Sequence, residues 1–213
     1  MFGRTVQEMI MSIPGILIAL VISGFAQAYM ADKLGDKTPR YQGKLSLNPK
    51  EHIDPLGFLI FVVIGFGWSK PVNINRRNFK NIRIDDSLVS AAGFIGNLLM
   101  AILFAIIMKI MLVLKIDILL GTVIGGNLLQ ILLFGIYFNV VFFVLGILPI
   151  PPFPGSRILE NLTNIEKYEF YTILQRYSFI VFLFLVATNI LSRIISPPII
   201  YIYRTILSIF YIK

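Results

Sequence analysis

The chain has 213 residues, of which 57% are hydrophobic and only 14% charged, and its mean hydropathy is +0.82. Soluble domains carry about 25% charged residues, and here the apolar residues are bunched into long runs, which excludes a water-soluble fold. The net charge of +8 sits mostly outside those runs, at 33–50 (Lys33, Lys37, Arg40, Lys44, Lys50) and 70–83 (Lys70, Arg76, Arg77, Lys80, Arg83). That placement fits loops lying on anionic headgroups rather than a nucleic-acid surface.

There is no cysteine, and His52 is the one histidine. Disulfides, thiol nucleophiles and thiolate or histidine-rich metal sites within one chain are therefore excluded.

In chain order, the first apolar stretch runs from Ile10 to Met30. Its charged start and Ala26-Gln27-Ala28 imitate a signal peptide. Against that reading, the run is interrupted by Pro14 and Gly15, and it is long enough to span a bilayer core, which needs about 20 residues. Residues 32–55 are polar and turn-rich, with Tyr41 to Leu47 a candidate strand or hairpin arm. Leu56 to Trp68 is apolar but only about two-thirds of a span, which reads as a re-entrant or tilted short helix.

A second basic loop, 69–86, closes with Asp85-Asp86-Ser87, a helix N-terminal signal. Leu88 to Leu114 is a long span whose Lys109 snorkels near its far end. A turn at 115–121 leads to a span from Thr122 to Leu148, where Gly121 and Gly125 have the spacing of close helix packing. The proline-rich stretch 149–155 breaks the chain, and 156–176 is amphiphilic. Phe179 to Leu191 is a fifth span, broken by Ser196-Pro197-Pro198, and Ile199 to Ile212 is a short or interfacial sixth. The expected fold is an all-α integral membrane protein in one domain, with about five to six transmembrane or re-entrant helices and a short polar insertion after the first.

If 56–68 re-enters, both basic loops share one side with 156–176, and Arg4, Lys115 and Arg193 lie on the other. The positive-inside rule then makes loops 33–50 and 70–83 cytoplasmic, in a multi-pass protein of a plasma membrane. If 56–68 crosses, the two loops oppose each other and the rule is silent.

Polar groups at membrane depth are costly. Here they are Ser23, Gln27, Asn97, Asn127, Gln130 and Asn139, and the plain reading of each is an interhelical hydrogen bond of about 0.6 kcal/mol. The segment Ala26-Gln27-Ala28-Tyr29-Met30-Ala31-Asp32-Lys33-Leu34-Gly35-Asp36 is more specific. With it go His52-Ile53-Asp54-Pro55-Leu56-Gly57, Phe66-Gly67-Trp68-Ser69-Lys70-Pro71, Ala92-Gly93 with Asn97, and Leu148-Pro149-Ile150-Pro151-Pro152 with Gly155-Ser156-Arg157. In this order the segments resemble the site-2 protease family of intramembrane zinc metalloproteases, in its compact bacterial branch. The resemblance makes the first helix part of the fold.

Members of that family carry H-E-x-x-H on the first helix. Two histidines one turn apart grip zinc, and the glutamate between them is the base for the attacking water. An aspartate in a P-x-P-x-x-D-G turn is the third ligand, leaving one position for water. The resemblance aligns Ser23 with the first histidine, Gly24 with the glutamate, Gln27 with the second histidine and Pro154 with the aspartate. It also puts Gly146 where the family has asparagine and Phe94 where it has proline. Serine and amide are poor zinc ligands, glycine offers no base and proline no ligand atom. The zinc expected in the family therefore lacks its ligands here, and His52 supplies one at most.

The expectation is a catalytically inactive relative, a pseudoprotease. It would bind or regulate a transmembrane client or an active family member in the lipid bilayer, with Asn97, Asn139, His52 and Asp54 as cleft groups. The alternatives are an intramembrane zinc metalloprotease with an atypical site and a small transporter. A serine enzyme using Ser23 lacks a visible activating base.

Overall fold

The computed structural model describes residues 5–64, 67–114 and 122–212. Arg4, Lys115, Gly121, Phe66 and the expected turn at 115–121 lie outside the described residues. Among the described residues four helices are long and apolar enough to cross a membrane: α1 (Val6–Lys33), α5 (Ile82–Val113), α6 (Val123–Ile147) and α10 (Ile190–Ile209). At 1.5 Å per residue each matches or exceeds a hydrocarbon core of about 30 Å, as an integral membrane protein requires.

Helix α1 opens with a capping box. The Thr5 hydroxyl accepts from the Glu8 N–H, and the Glu8 carboxylate accepts from the Thr5 N–H at 2.7 Å. Pro14 lies inside the helix without ending it. Beside it, Gly15 lets two backbones touch: a β-carbon there would stand 2.9 Å from the Gly135 nitrogen on α6. On α5, Gly93 faces Gln27 and Gly96 faces Ile22, so α1 and α5 run antiparallel. Phe104 of α5 meets Gly135 and Phe94 meets Gly146, so α6 is antiparallel to α5 in turn. Small residues at these crossings replace the hydrophobic driving force that lipid removes.

The N-terminus of α5 differs from the expected start at Asp85-Asp86-Ser87. Asn81 is the N-cap: its side chain accepts from the Ile84 N–H at 3.2 Å, while the Asp85 carboxylate accepts from the Asn81 N–H at 2.9 Å. The reciprocal pair starts the helix one turn earlier and leaves both aspartates in it.

The polar insertion holds the short helices α2 (Thr38–Tyr41) and α3 (Pro49–His52) and, among the described residues, no strand. The candidate strand Tyr41–Leu47 is thus corrected. Gly43 takes φ 73°, and the Lys44 N–H bonds back to the Pro39 carbonyl at 2.9 Å, which closes a turn where a strand would have to run on.

Buried acids tie the two basic loops together. Asp36 is fully buried and accepts from the Thr38 N–H and hydroxyl, from the Asn75 N–H at 2.8 Å and from the Asn78 amide at 2.8 Å. Burial opposes its ionisation, but these donors outweigh it and hold the carboxyl below its ordinary range. The Lys70 N–H donates to the His52 carbonyl at 2.8 Å, and Lys44 caps α3 through the Glu51 carbonyl.

These bonds settle the path of the apolar segment between the loops. Helix α4 (Pro55–Ile64) has 10 residues, about 15 Å and half a hydrocarbon core. A β-carbon on Gly67 would stand 2.8 Å from the Phe61 β-carbon, and one on Gly57 would stand 2.9 Å from the Trp68 ring. The chain before residue 65 and the chain after residue 66 thus pack against each other, the arrangement of a re-entrant hairpin rather than of a full span.

After α6 come α7 (Pro154–Thr163), α8 (Glu169–Arg176) and α9 (Ser178–Ala187). α7 returns along the first turns of α5, where the Asn161 amide donates to Asp86 at 2.9 Å. α8 and α9 meet at 72°, and the expected fifth span, Phe179 to Leu191, is divided between the 10-residue α9 and the start of α10. The expected break at Pro197-Pro198 does not occur, because α10 runs through both prolines. Its buried stripe of Leu191, Ile195, Ile199 and Ile206 stays packed in the main hydrophobic core, and the prolines lie on the exposed side.

Candidate functional site

Counting back from Lys33 at the end of α1, Gln27 lies about 9 Å and Ser23 about 15 Å into the layer. Both face a cavity of about 140 Å³ that Gly24 also lines. Ser69–Val72 from the chain leaving the re-entrant hairpin, Ser90 from α5, and Pro152, Pro154 and Arg157 from the loop and first turn of α7 complete it. Ser23, Gly24, Gln27 and Pro154 are thus brought together from segments more than a hundred residues apart.

The loop can reach this depth because Gly155 has no side chain; a β-carbon there would stand 2.3 Å from the Ile147 carbonyl. Pro154 occupies the first turn of α7, where its missing N–H costs no helical bond.

A larger cavity of about 350 Å³ adjoins the first and shares Ser23, Gln27, Ser69, Pro152 and Pro154 with it. Its other walls are aromatic and apolar: Phe61, Trp68, Phe94, Phe142, Phe179 and Phe182 among them. Trp68 meets Phe179 edge-on at 5.5 Å, joining the re-entrant hairpin to α9. The whole is a two-part cleft with a small polar end and a broad apolar end.

His52 is 1% exposed, which corrects its expected place on a polar loop. Its Nε2–H donates to the Ser46 carbonyl at 2.7 Å, which leaves Nδ1 as the lone-pair nitrogen. Nδ1 has no hydrogen-bond partner among the described residues and lies against Gly24, 2.4 Å from where a β-carbon would stand. Burial pushes the imidazole below its ordinary pKa. His52 does not line the cavity but forms the wall behind Gly24.

The remaining cleft candidates lie elsewhere. Asp54 caps α4, accepting from the Gly57 N–H at 2.8 Å. Asn97 and Asn139 are fully buried, and neither lines the two cavities. The Asn139 amide donates to the Gly135 carbonyl at 2.8 Å within its own helix, while the Asn97 amide has no partner among the described residues.

Two lining residues escaped sequence reasoning. Ser90 is 2% exposed, and no hydrogen bond engages its hydroxyl among the described residues. Arg157 makes no ion pair among the described residues. A cation one turn into a helix that follows four prolines was the available signal for Arg157.

A zinc ion needs imidazole, thiolate or carboxylate donors. The small cavity offers hydroxyls, an amide, Lys70 and Arg157, and no carboxylate or imidazole lines it. Among the described residues no three His, Cys, Asp or Glu side chains are placed to share a metal ion. The donor set does not fit zinc.

The chain is similar to the Bacillus subtilis (strain 168) protein named "Putative zinc metalloprotease YwhC", with 37% identity over 188 residues, 86% of this chain and 85% of that protein. The chain belongs to that protein's family. Identity at this level over most of both chains carries the family and its fold, while function has to be argued from the cleft itself. No family model matches the chain, and no solved structure matches it significantly.

Proposed function

We propose that the chain is a non-catalytic member of its family, a site-2-protease-like protein that keeps the cleft and has lost the metal chemistry. The observation that carries this reading is the donor set around Ser23, Gly24, Gln27 and Pro154. These residues line one cavity, as the family's ligands and base would, yet none is an imidazole or a carboxylate.

A correlated replacement supports the same reading. Where the resemblance expects asparagine there is Gly146, and where it expects proline there is Phe94. A β-carbon at Gly146 would stand 2.4 Å from that of Phe94, so the aromatic ring occupies the space of the missing amide. A polar end of the cleft has become apolar wall, which suits binding rather than hydrolysis.

The protein then holds a transmembrane client, or an active family member, in the apolar cavity beside the re-entrant hairpin. On this reading the basic loops lie in the cytoplasm of a bacterial cell, by the positive-inside rule.

Metal analysis of the protein purified from native membranes, paired with a peptidase assay, tests the reading. We expect substoichiometric zinc, no metal-dependent cleavage, and a single-span protein or an active relative recovered with the chain. Stoichiometric zinc with chelator-sensitive cleavage would instead establish the second reading, a metalloprotease with an atypical site, which the name of the Bacillus relative favours.

A further inference from the structure

We propose that the cleft seats its client by a carboxylate, held at Arg157 in the polar end while neighbouring apolar residues of the client fill the aromatic end. This rests on the client-binding reading above and names the chemistry of what is bound.

Four features of the polar end converge on an anion. Arg157 reaches it from the first turn of α7 with no acidic partner. Glu160, one turn further on, lies nearest in sequence but is already engaged by the Tyr171 hydroxyl at 2.9 Å and the Gln175 amide at 2.7 Å. Ser90 is almost fully buried, and its hydroxyl has no partner among the described residues. The Gln27 amide donates to the Ser23 hydroxyl at 3.4 Å, its one side-chain hydrogen bond among the described residues, which leaves a second N–H to give.

Among the described residues no Asp or Glu lines this end, and the ammonium of Lys70, which also lines it, donates to the Lys50 carbonyl at 2.7 Å. Arg157 is exposed at the mouth of this end, so its guanidinium is available to an anion that enters. A carboxylate takes the bidentate guanidinium, the hydroxyls and the amide together.

Size and position narrow the ligand further. A cavity of about 140 Å³ admits a side-chain carboxyl and not a turn of helix. It opens into the aromatic cavity through Ser23, Gln27, Ser69 and Pro152. The carboxylate is therefore borne on an apolar chain, as an acidic side chain in a hydrophobic segment or as the head of a fatty acid.

The protein supplies its own reporter, because its single tryptophan, Trp68, lines the aromatic end. The full chain in detergent is titrated with three probes that quench tryptophan: a dinitrophenyl-labelled Leu/Phe-rich peptide with one central Glu, the same peptide with Gln, and a brominated long-chain fatty acid. We expect the Glu peptide to bind about tenfold more tightly than the Gln peptide. Arg157→Gln should abolish that preference, Arg157→Lys should retain part of it, and Ser90→Ala should reduce it with the fold intact.

Equal binding of the two peptides would overturn the carboxylate inference and leave client binding standing. Quenching by the fatty acid alone, lost in Arg157→Gln, would keep the carboxylate site but give it to a lipid and remove the peptide client. Silence from all three probes would overturn both.

Discussion

The imidazole of His52 rests on the α-carbon of Gly24, its Nδ1 2.4 Å from the place a β-carbon would take. The ring is fixed from its other side by the Ser46 carbonyl, so it cannot swing away without losing its only hydrogen bond. Gly24 is therefore a packing necessity of the structure as it stands.

Gly24→Ala should destabilise the protein by about 1–3 kcal/mol, the usual cost of overpacking. Gly126→Ala is the control, because nothing lies within 4 Å of a β-carbon there; it should be neutral or stabilising by about 1 kcal/mol, as an exposed helical glycine gives. Unfolding in mixed detergent micelles reads both, and equal stability of the two variants would refute the contact.

His52 also makes stability depend on pH. Burial, aided by the Lys44 charge and opposed by the Ser46 carbonyl and Glu51, lowers its pKa below the ordinary imidazole value. The folded chain refuses a proton that the unfolded chain takes up. Stability from this group is thus full above the unfolded value and lost as the pH falls below it. Tm should drop between about pH 7.5 and pH 5.5, and His52→Asn, which keeps a donor for Ser46, should flatten that slope. A parallel slope in wild type and variant would assign the pH response to other groups.

Asp36 joins the two basic loops through four donors, two of them about forty residues away at Asn75 and Asn78. Asp36→Ala leaves those donors unpaired, which should cost about 2–4 kcal/mol. The local consequence is more telling than the global one. Trypsin should cut at Arg76 and Arg77 far faster in the variant, and an unchanged cleavage pattern would show that the loops are held by something else.

Phe94 and Gly146 should behave as one unit. Gly146→Asn alone drives the amide into the ring and should cost about 2 kcal/mol or more. Combined with Phe94→Ala it should cost much less than the sum of the single changes, with a coupling of about 1–3 kcal/mol for residues in contact. A double-mutant cycle on thermal stability measures the coupling, and additivity would deny the exchange of an amide for a ring.

Much of the fold was legible because lipid leaves few choices. The runs that became α1, α5 and α6 are long and uniformly apolar, and only a spanning helix satisfies their backbone. Leu56–Trp68 could be judged too short to cross, but its return path depends on Gly57 meeting Trp68 and Gly67 meeting Phe61, and sequence does not show which glycines touch. Pro197-Pro198 misled because proline's local cost is visible in sequence and the packed stripe that overrides it is not. Ser23, Gly24, Gln27 and Pro154 could be grouped by resemblance, whereas Ser90 joined them only through the antiparallel packing of α5 on α1. His52 looked exposed because its neighbours in sequence are polar, while its neighbours in space are Gly24 and a carbonyl.

The re-entrant hairpin has a topological consequence. Because Trp68 packs back on Gly57 and the Lys70 N–H donates to the His52 carbonyl, the hairpin adds no crossing, and α5 starts from the face where α1 ended. At the other face Lys109 of α5 lies over the ring of Tyr211, 5.5 Å from its centroid, and Thr5 opens α1 there too. Thr5 and Tyr211 therefore emerge together, opposite the basic loops. Reporters fused beyond each of them must read the same compartment, and deleting the hairpin would not reverse that answer.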